Sequence, residues 1–258
     1  MKKWLGVLIA AALLAGCAAQ PLEGGGGAGG GEADSQSGER ARVFTDLAGA
    51  YVSRGQYKVA LGELRKAITA DSRYGPAYNV YGMIYMDLAE DKLAEDNFQR
   101  AIELDRNDST ARNNYGWFLC TRGRYDDGLA QFSAAIRNPL YAQPELAMTN
   151  AGLCAEKKGD IALAEANLAK ALKLQPDSPN TVLKLAGLNF RQGRLTQAQR
   201  LLERHDELAP PTAESLWLGV RLARKLGDRA QEAAYALQLH KRFPDSSEAQ
   251  LLLAGQYE

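Results

Sequence analysis

The chain has 258 residues, 46% of them hydrophobic, 8% aromatic and 24% charged, with only two histidines. Its 31 Lys and Arg balance its 31 Asp and Glu, so no broad basic field exists to draw in nucleic acid or anionic lipid. The dominant residues, Ala, Leu, Arg, Gln and Glu, lose little freedom in a helix, and β-branched residues are sparse, so an all-α body is expected.

Residues 1–16 read as a leader. Lys2 and Lys3 form a positive start, Trp4 to Leu14 an apolar run, and Leu14-Ala15-Gly16-Cys17 places small residues at a cleavage point. The run falls well short of the roughly 20 apolar residues that cross a bilayer. The pattern resembles a lipoprotein signal peptide with its lipobox. That resemblance implies that Cys17 becomes the first mature residue and carries acyl chains, palmitate among them, since one chain alone anchors only marginally. Losing Lys2 and Lys3 takes the 31 basic residues to 29 against 31 acidic ones. Ala18 follows Cys17, where lipoprotein sorting associates Asp with inner-membrane retention, so an outer-membrane position facing the periplasm is implied. Residues 17–40 carry glycines at 24 to 27 and 29 to 31, then Glu32 to Gly38, with almost nothing apolar to offset ordering entropy; a structureless tether is predicted. As a Gly-rich coil, residues 18–38 would span roughly 25 Å, and about 70 Å when fully stretched.

From Ala41 the sequence repeats with the length and pattern that resemble a tetratricopeptide unit of two antiparallel helices. Aligned origins fall at Ala41, Gly75, Ser109, Glu145, Pro179 and Ala213, in steps of 34, 34, 36, 34 and 34. The eighth position reads Ala48, Gly82, Gly116, Gly152, Ala186 and Val220; the twentieth reads Ala60, Ala94, Gly128, Ala164, Ala198 and Glu232. Small residues thus recur where paired helices must approach. Bulky Leu64, Phe98, Phe132, Leu168 and Leu202 hold the twenty-fourth position, and Ala67, Ala101, Ala135 and Ala171 the twenty-seventh. Gly55, Gly123, Gly159, Gly193 and Gly227 end the first helices, and Pro176, Pro210 and Pro244 follow the second helices of the last three units. The predicted fold is an all-α, right-handed superhelical solenoid of six tetratricopeptide repeats over 41–246. The sixth unit is degenerate, and residues 247–258 form a capping helix whose Leu251 to Leu253 run covers the open end.

A search for catalysis finds little. His205 sits at a small-residue repeat position, His240 has no Cys or His partner at metal spacing, and the Gly-rich stretch opens no phosphate-binding helix. No enzyme, cofactor or metal is expected. Cys120 and Cys154 lie on first helices of adjacent units, so an oxidising compartment permits a disulfide; the alternative is two separate buried thiols acting as small hydrophobes. In tetratricopeptide arrays the inner groove is lined from the first helices, which in this register gives Val52, Asn79, Met83, Met86, Asp87, Asn113, Trp117, Thr121, Leu153, Glu156 and Lys157. Apolar side chains rimmed by amides suit a peptide or helix, unless neighbouring helices cover them. The Lys, Arg and Asn set of the chaperone carboxylate clamp is missing, its places being held by Thr45, Gly49, Val80, Thr110 and Asn114.

Two stretches are more specific: Asn113-Asn114-Tyr115-Gly116-Trp117-Phe118-Leu119-Cys120, and Tyr141 to Pro144 leading to Asn150-Ala151-Gly152-Leu153-Cys154. With the lipobox and six units, they resemble the PilF/PilW family of type IV pilus biogenesis lipoproteins. The resemblance implies a pilotin that binds the outer-membrane secretin, promotes its localisation and multimerisation, and so supports pilus extrusion and twitching motility. It also implies the Cys120–Cys154 link and a chain that is monomeric by itself; the glycine-rich tether departs from the family. A second reading is a periplasmic adaptor that docks and regulates peptidoglycan-remodelling enzymes. The N-terminal half of the groove, Val52, Met83, Met86 and Trp117, is the expected contact, because the tether holds that end nearest the membrane.

Overall fold

The structure, a computed structural model, describes residues 29–257, with side chains from residue 35; the leader, Cys17 and residues 18–28 lie outside the described residues. Thirteen α-helices and no strand occur among the described residues. Antiparallel pairs follow one another: α1 (Gly29–Val52) with α2 (Tyr57–Ala70), α3 (Gly75–Asp87) with α4 (Asp91–Leu104), and α5 (Ser109–Thr121) with α6 (Tyr125–Ile136). They continue with α7 (Pro144–Lys158) and α8 (Ile161–Leu174), α9 (Pro179–Arg191) and α10 (Leu195–Leu208), and α11 (Ala213–Leu226) and α12 (Arg229–Arg242), before α13 (Ser247–Leu253). The array is a tetratricopeptide solenoid.

The origins at Gly75, Ser109, Pro179 and Ala213 coincide with helix starts, and α7 begins at Pro144, one residue before Glu145. The first origin differs. Ala41 falls inside α1, so residues 29–40, expected in a structureless tether, extend that helix. Packing of its later turns supplies the nucleus, after which extension costs only propagation, and Arg42 ties the turns together through Glu39 at 2.6 Å and Asp46 at 3.0 Å.

Close approach within each pair explains the recurrent small residues. A Cβ at Gly82 would lie 2.7 Å from the Phe98 ring, and one at Gly128 would lie 2.8 Å from the Gly116 carbonyl oxygen. The facing knobs Leu64, Phe98, Phe132, Leu168 and Leu202 are buried, each contributing on the order of 2 kcal/mol by leaving water. In the sixth unit the same device operates one residue earlier, because a Cβ at Gly219 would meet the Tyr235 ring at 2.8 Å. Val220 is thereby freed to pack with Leu216, Leu239 and Ala249 in the cluster that α13 completes. The capping helix is short. After it Gly255 turns the chain with φ +67°, and Tyr257 stacks on Trp217 with ring centroids 5.7 Å apart.

First helices are followed by left-handed residues at Gly55, Gly123, Gly159, Gly193 and Gly227, and by Ala89 with φ +59° in the second unit. Successive first helices touch one another, whereas successive second helices do not among the described residues. The layer whose members approach is the inner side of a curved stack, so the first helices form the concave face.

Candidate functional site

Because the first helices stack in register, each repeat position projects one row of side chains along the inner face. At the ninth position that row reads Gly49, Met83, Trp117, Leu153, Gly187 and Arg221; at the thirteenth it reads Ser53, Asp87, Thr121, Lys157, Arg191 and Lys225. Both rows change character along the array, from apolar or acidic to basic.

Met83 and Met86 on α3 are half-buried, packed on the cluster of Phe98, Tyr115, Phe118 and Leu119. Trp117 on α5 is half-buried against Cys120, Phe132 and Cys154, and the Lys157 Nζ lies 5.6 Å from its ring centroid. Leu153 on α7 is half-buried, as is Val52 at the end of α1, which packs on the first core cluster. These residues therefore keep part of their surface accessible while their inner edges are fixed by the core.

The two asparagines among the expected contacts behave otherwise. Asn79 and Asn113 are buried, 7% and 4% exposed, and are spent within the array, which corrects their reading as groove contacts. The Asn150 Nδ2 donates to the Asn113 Oδ1 at 3.0 Å, the Asn113 Nδ2 to the Asn114 Oδ1 at 3.3 Å, and the Asn114 Nδ2 to the Asn79 Oδ1 at 3.1 Å. This amide ladder crosses α3, α5 and α7, and satisfying each buried amide avoids the cost of leaving one unpaired. Its half-buried members, Asn114 and Asn150, keep part of their surface accessible and were not among the expected contacts. Their position, one residue after the buried set, was visible only from the helix rotation.

Cys120 and Cys154 are joined as a disulfide, with Cα atoms 5.7 Å apart, linking α5 to α7. The link spans the joint with the two-residue insertion, where Asn138 of the connecting loop donates to the Asn107 carbonyl and the Ser109 hydroxyl, both at 3.0 Å.

Toward the C-terminal end, Gly187 leaves room for the Arg191 guanidinium, 3.2 Å from where its Cβ would be, and Arg191 bridges Glu156 at 2.5 and 2.8 Å. Arg221 lies over Phe190, its Cζ 4.6 Å from the ring centroid, and donates through Nε to the Tyr257 carbonyl at 3.0 Å. Burial, and then the Arg191 charge, hold the Arg221 pKa below the ordinary arginine value. Sequence reading stopped at Lys157 and missed this end, although the thirteenth-position row carried the signal.

His205, 2% exposed, sits beside Asp206 with the Nδ1 and Oδ1 atoms 3.1 Å apart, and no cluster of three His, Cys, Asp or Glu residues occurs among the described residues. No described helix is long and apolar enough to cross a membrane.

Tetratricopeptide repeat models match residues 75–108, 97–130, 116–179 and 155–218. The type IV pilus assembly protein PilF of Pseudomonas aeruginosa is 29% identical over 208 residues, covering 81% of this chain and 82% of its own length. A solved PilF structure superposes with a TM-score of 0.70, covering 85% of this chain and 99% of PilF. The crystal structure of PilW, a type IV pilus biogenesis factor, is 32% identical with a TM-score of 0.73, covering 83% of this chain and 98% of PilW.

Proposed function

Since the chain belongs to the PilF/PilW family of type IV pilus biogenesis tetratricopeptide proteins, we propose that it acts as a pilotin: an outer-membrane lipoprotein, acylated at Cys17, that binds the secretin through its groove and promotes secretin multimerisation. The observation that carries this reading is likeness over 98% of PilW at 32% identity, so the likeness spans the whole repeat array rather than a few generic repeats. The groove supports it. Met83, Met86 and Trp117 present adaptable and aromatic surface on a backbone fixed by the amide ladder and the disulfide, and such preorganisation limits the entropy lost on docking.

Deletion of the gene tests it. Heat-resistant secretin multimers should vanish and return with the wild-type chain, but not with Trp117→Glu. A Cys17→Ser chain should lose palmitate labelling and outer-membrane fractionation. Intact multimers with altered wall cross-linking in the deletion strain would instead identify an adaptor for peptidoglycan-remodelling enzymes.

A further inference from the structure

The C-terminal end of the concave face carries a feature that the secretin reading does not use. Phe190, Arg191, Leu195, Arg221, Lys225 and Tyr257 line an open cleft of about 450 Å³ between α9, α11 and the tail that follows α13. This volume suits one or two peptide side chains.

Part of its positive charge has no carboxylate partner among the described residues. Arg191 is bridged by Glu156, and the neighbouring Arg224 by Glu232 at 2.8 Å, but Arg221 and Lys225 have no carboxylate partner among the described residues. Arg221 is also held in place. Its Nε is spent on the Tyr257 carbonyl and its plane rests over Phe190, which leaves the two terminal nitrogens to serve as a fork. A planar guanidinium fixed in this way matches a carboxylate with two parallel hydrogen bonds and loses little further freedom in making them. Arg224, stacked over Tyr257 with its Cζ 4.0 Å from the ring centroid, fixes the tail that forms the opposite wall.

We propose that this cleft is a second docking site, which takes an acidic peptide segment of a protein partner. One carboxylate is gripped by Arg221 with Lys225 beside it, and an adjacent apolar side chain rests on Phe190 and Leu195. The apolar wall favours a peptide over a bare anion. Its place at the end of the array opposite α1 sets it apart from the anchor-proximal end, where a lipid surface would be met. The inference stands apart from the secretin reading, and either can fail alone.

The test uses the full mature chain and a fluorescein-labelled, C-terminally amidated peptide of alternating Glu and Leu, read by anisotropy at low and high salt. The Glu peptide should bind and weaken as salt screens the contact, while the same peptide with Gln for Glu should not bind. Lys225→Glu, an exposed change with no packing role, should weaken binding at least about tenfold, and Arg221→Gln by as much or more. Arg221→Lys, which keeps the charge but loses the fork, should fall between. Helical circular dichroism and melting temperature should stay unchanged in Lys225→Glu. Equal binding of the Gln peptide, or an unchanged affinity in a folded Lys225→Glu chain, would overturn the proposal. So would binding to phosphatidylglycerol vesicles, lost in the same variants, without binding of the Glu peptide.

Discussion

The two ends of the inner face are built from one repeat but present opposite chemistry. At the ninth position, Met83, Trp117 and Leu153 give way to Gly187 and Arg221; at the thirteenth, Asp87 gives way to Lys157, Arg191 and Lys225. The device of a small residue against a bulky ring or side chain persists over the same distance, slipping by one residue in the sixth unit. The scaffold positions are constrained by close packing, and the groove positions are not, so one fold can carry an apolar receptor and a basic one in series. The first of these is also the one fastened covalently, through Cys120 and Cys154.

The largest effect should come from breaking that fastening. Replacing both cysteines with Ser should cost about 3 to 4 kcal/mol in the chain-entropy model for a loop of this length, measured by denaturant unfolding without reductant. Hydrogen exchange should quicken in α5, α6 and α7 and change little in α9 to α12, because repeats communicate chiefly with their neighbours. Uniform quickening along the array would show that the two ends are not separable units.

A smaller and more selective change separates the two surfaces by function. Trp117→Ala should lower secretin capture about tenfold, the effect of losing a central aromatic anchor, and leave the acidic-peptide affinity unaltered. Lys225→Glu should do the reverse. If both variants impaired both activities, the inner face would be one continuous site rather than two.

How much of this could be read beforehand depended on what repeats. Fixed-period positions were legible because the steric demand recurs: Gly82 against Phe98 announces Gly116 against Phe132. The sixth unit looked degenerate because its pair, Gly219 with Tyr235, had shifted by one residue, and a comparison at fixed positions cannot see such a slip. Asn79 and Asn113 lay at groove positions by count, yet helix rotation buries them and brings Asn114 and Asn150 outward; about 100° per residue is enough to exchange the two roles. The helical start of α1 was hidden by composition, since glycines dominated the reading of a stretch whose later residues form helix readily. The basic cleft required the tail, and nothing local in Tyr257 says that its carbonyl receives Arg221.

Ala89 offers a finer test within the apolar half. It is the one residue other than glycine with positive φ among the described residues, at the position where the other units have glycine. An L-residue there is strained by its Cβ, whereas glycine is not, although glycine loses more freedom on folding. Ala89→Gly should therefore raise stability, by about 0.5 to 1 kcal/mol, read from the urea midpoint at constant m. The same change at Ala50, inside α1, should lower it by a similar amount, since there only the entropic cost applies.

The smallest effect concerns acid, and it too falls on the apolar half. Burial opposes the charge of Glu95, but hydrogen bonds from the Tyr115 hydroxyl and the Arg124 guanidinium, both at 2.7 Å, outweigh it and hold its pKa below the ordinary carboxylate value. With the folded pKa depressed, the unfolded chain takes up the proton first as pH falls. The stabilisation is therefore complete above the ordinary carboxylate value and is lost as pH drops through the lower, folded one. From pH 8 to 5 this cluster should contribute no slope. Arg124 also pairs with Asp127, and Asp96 opposes Glu95, so a residual acid response will survive its removal. Glu95→Gln should flatten part of the decline in melting temperature below pH 4.5, leave the neutral-pH value slightly lower, and spare the basic cleft, whose arginines and lysine stay charged throughout.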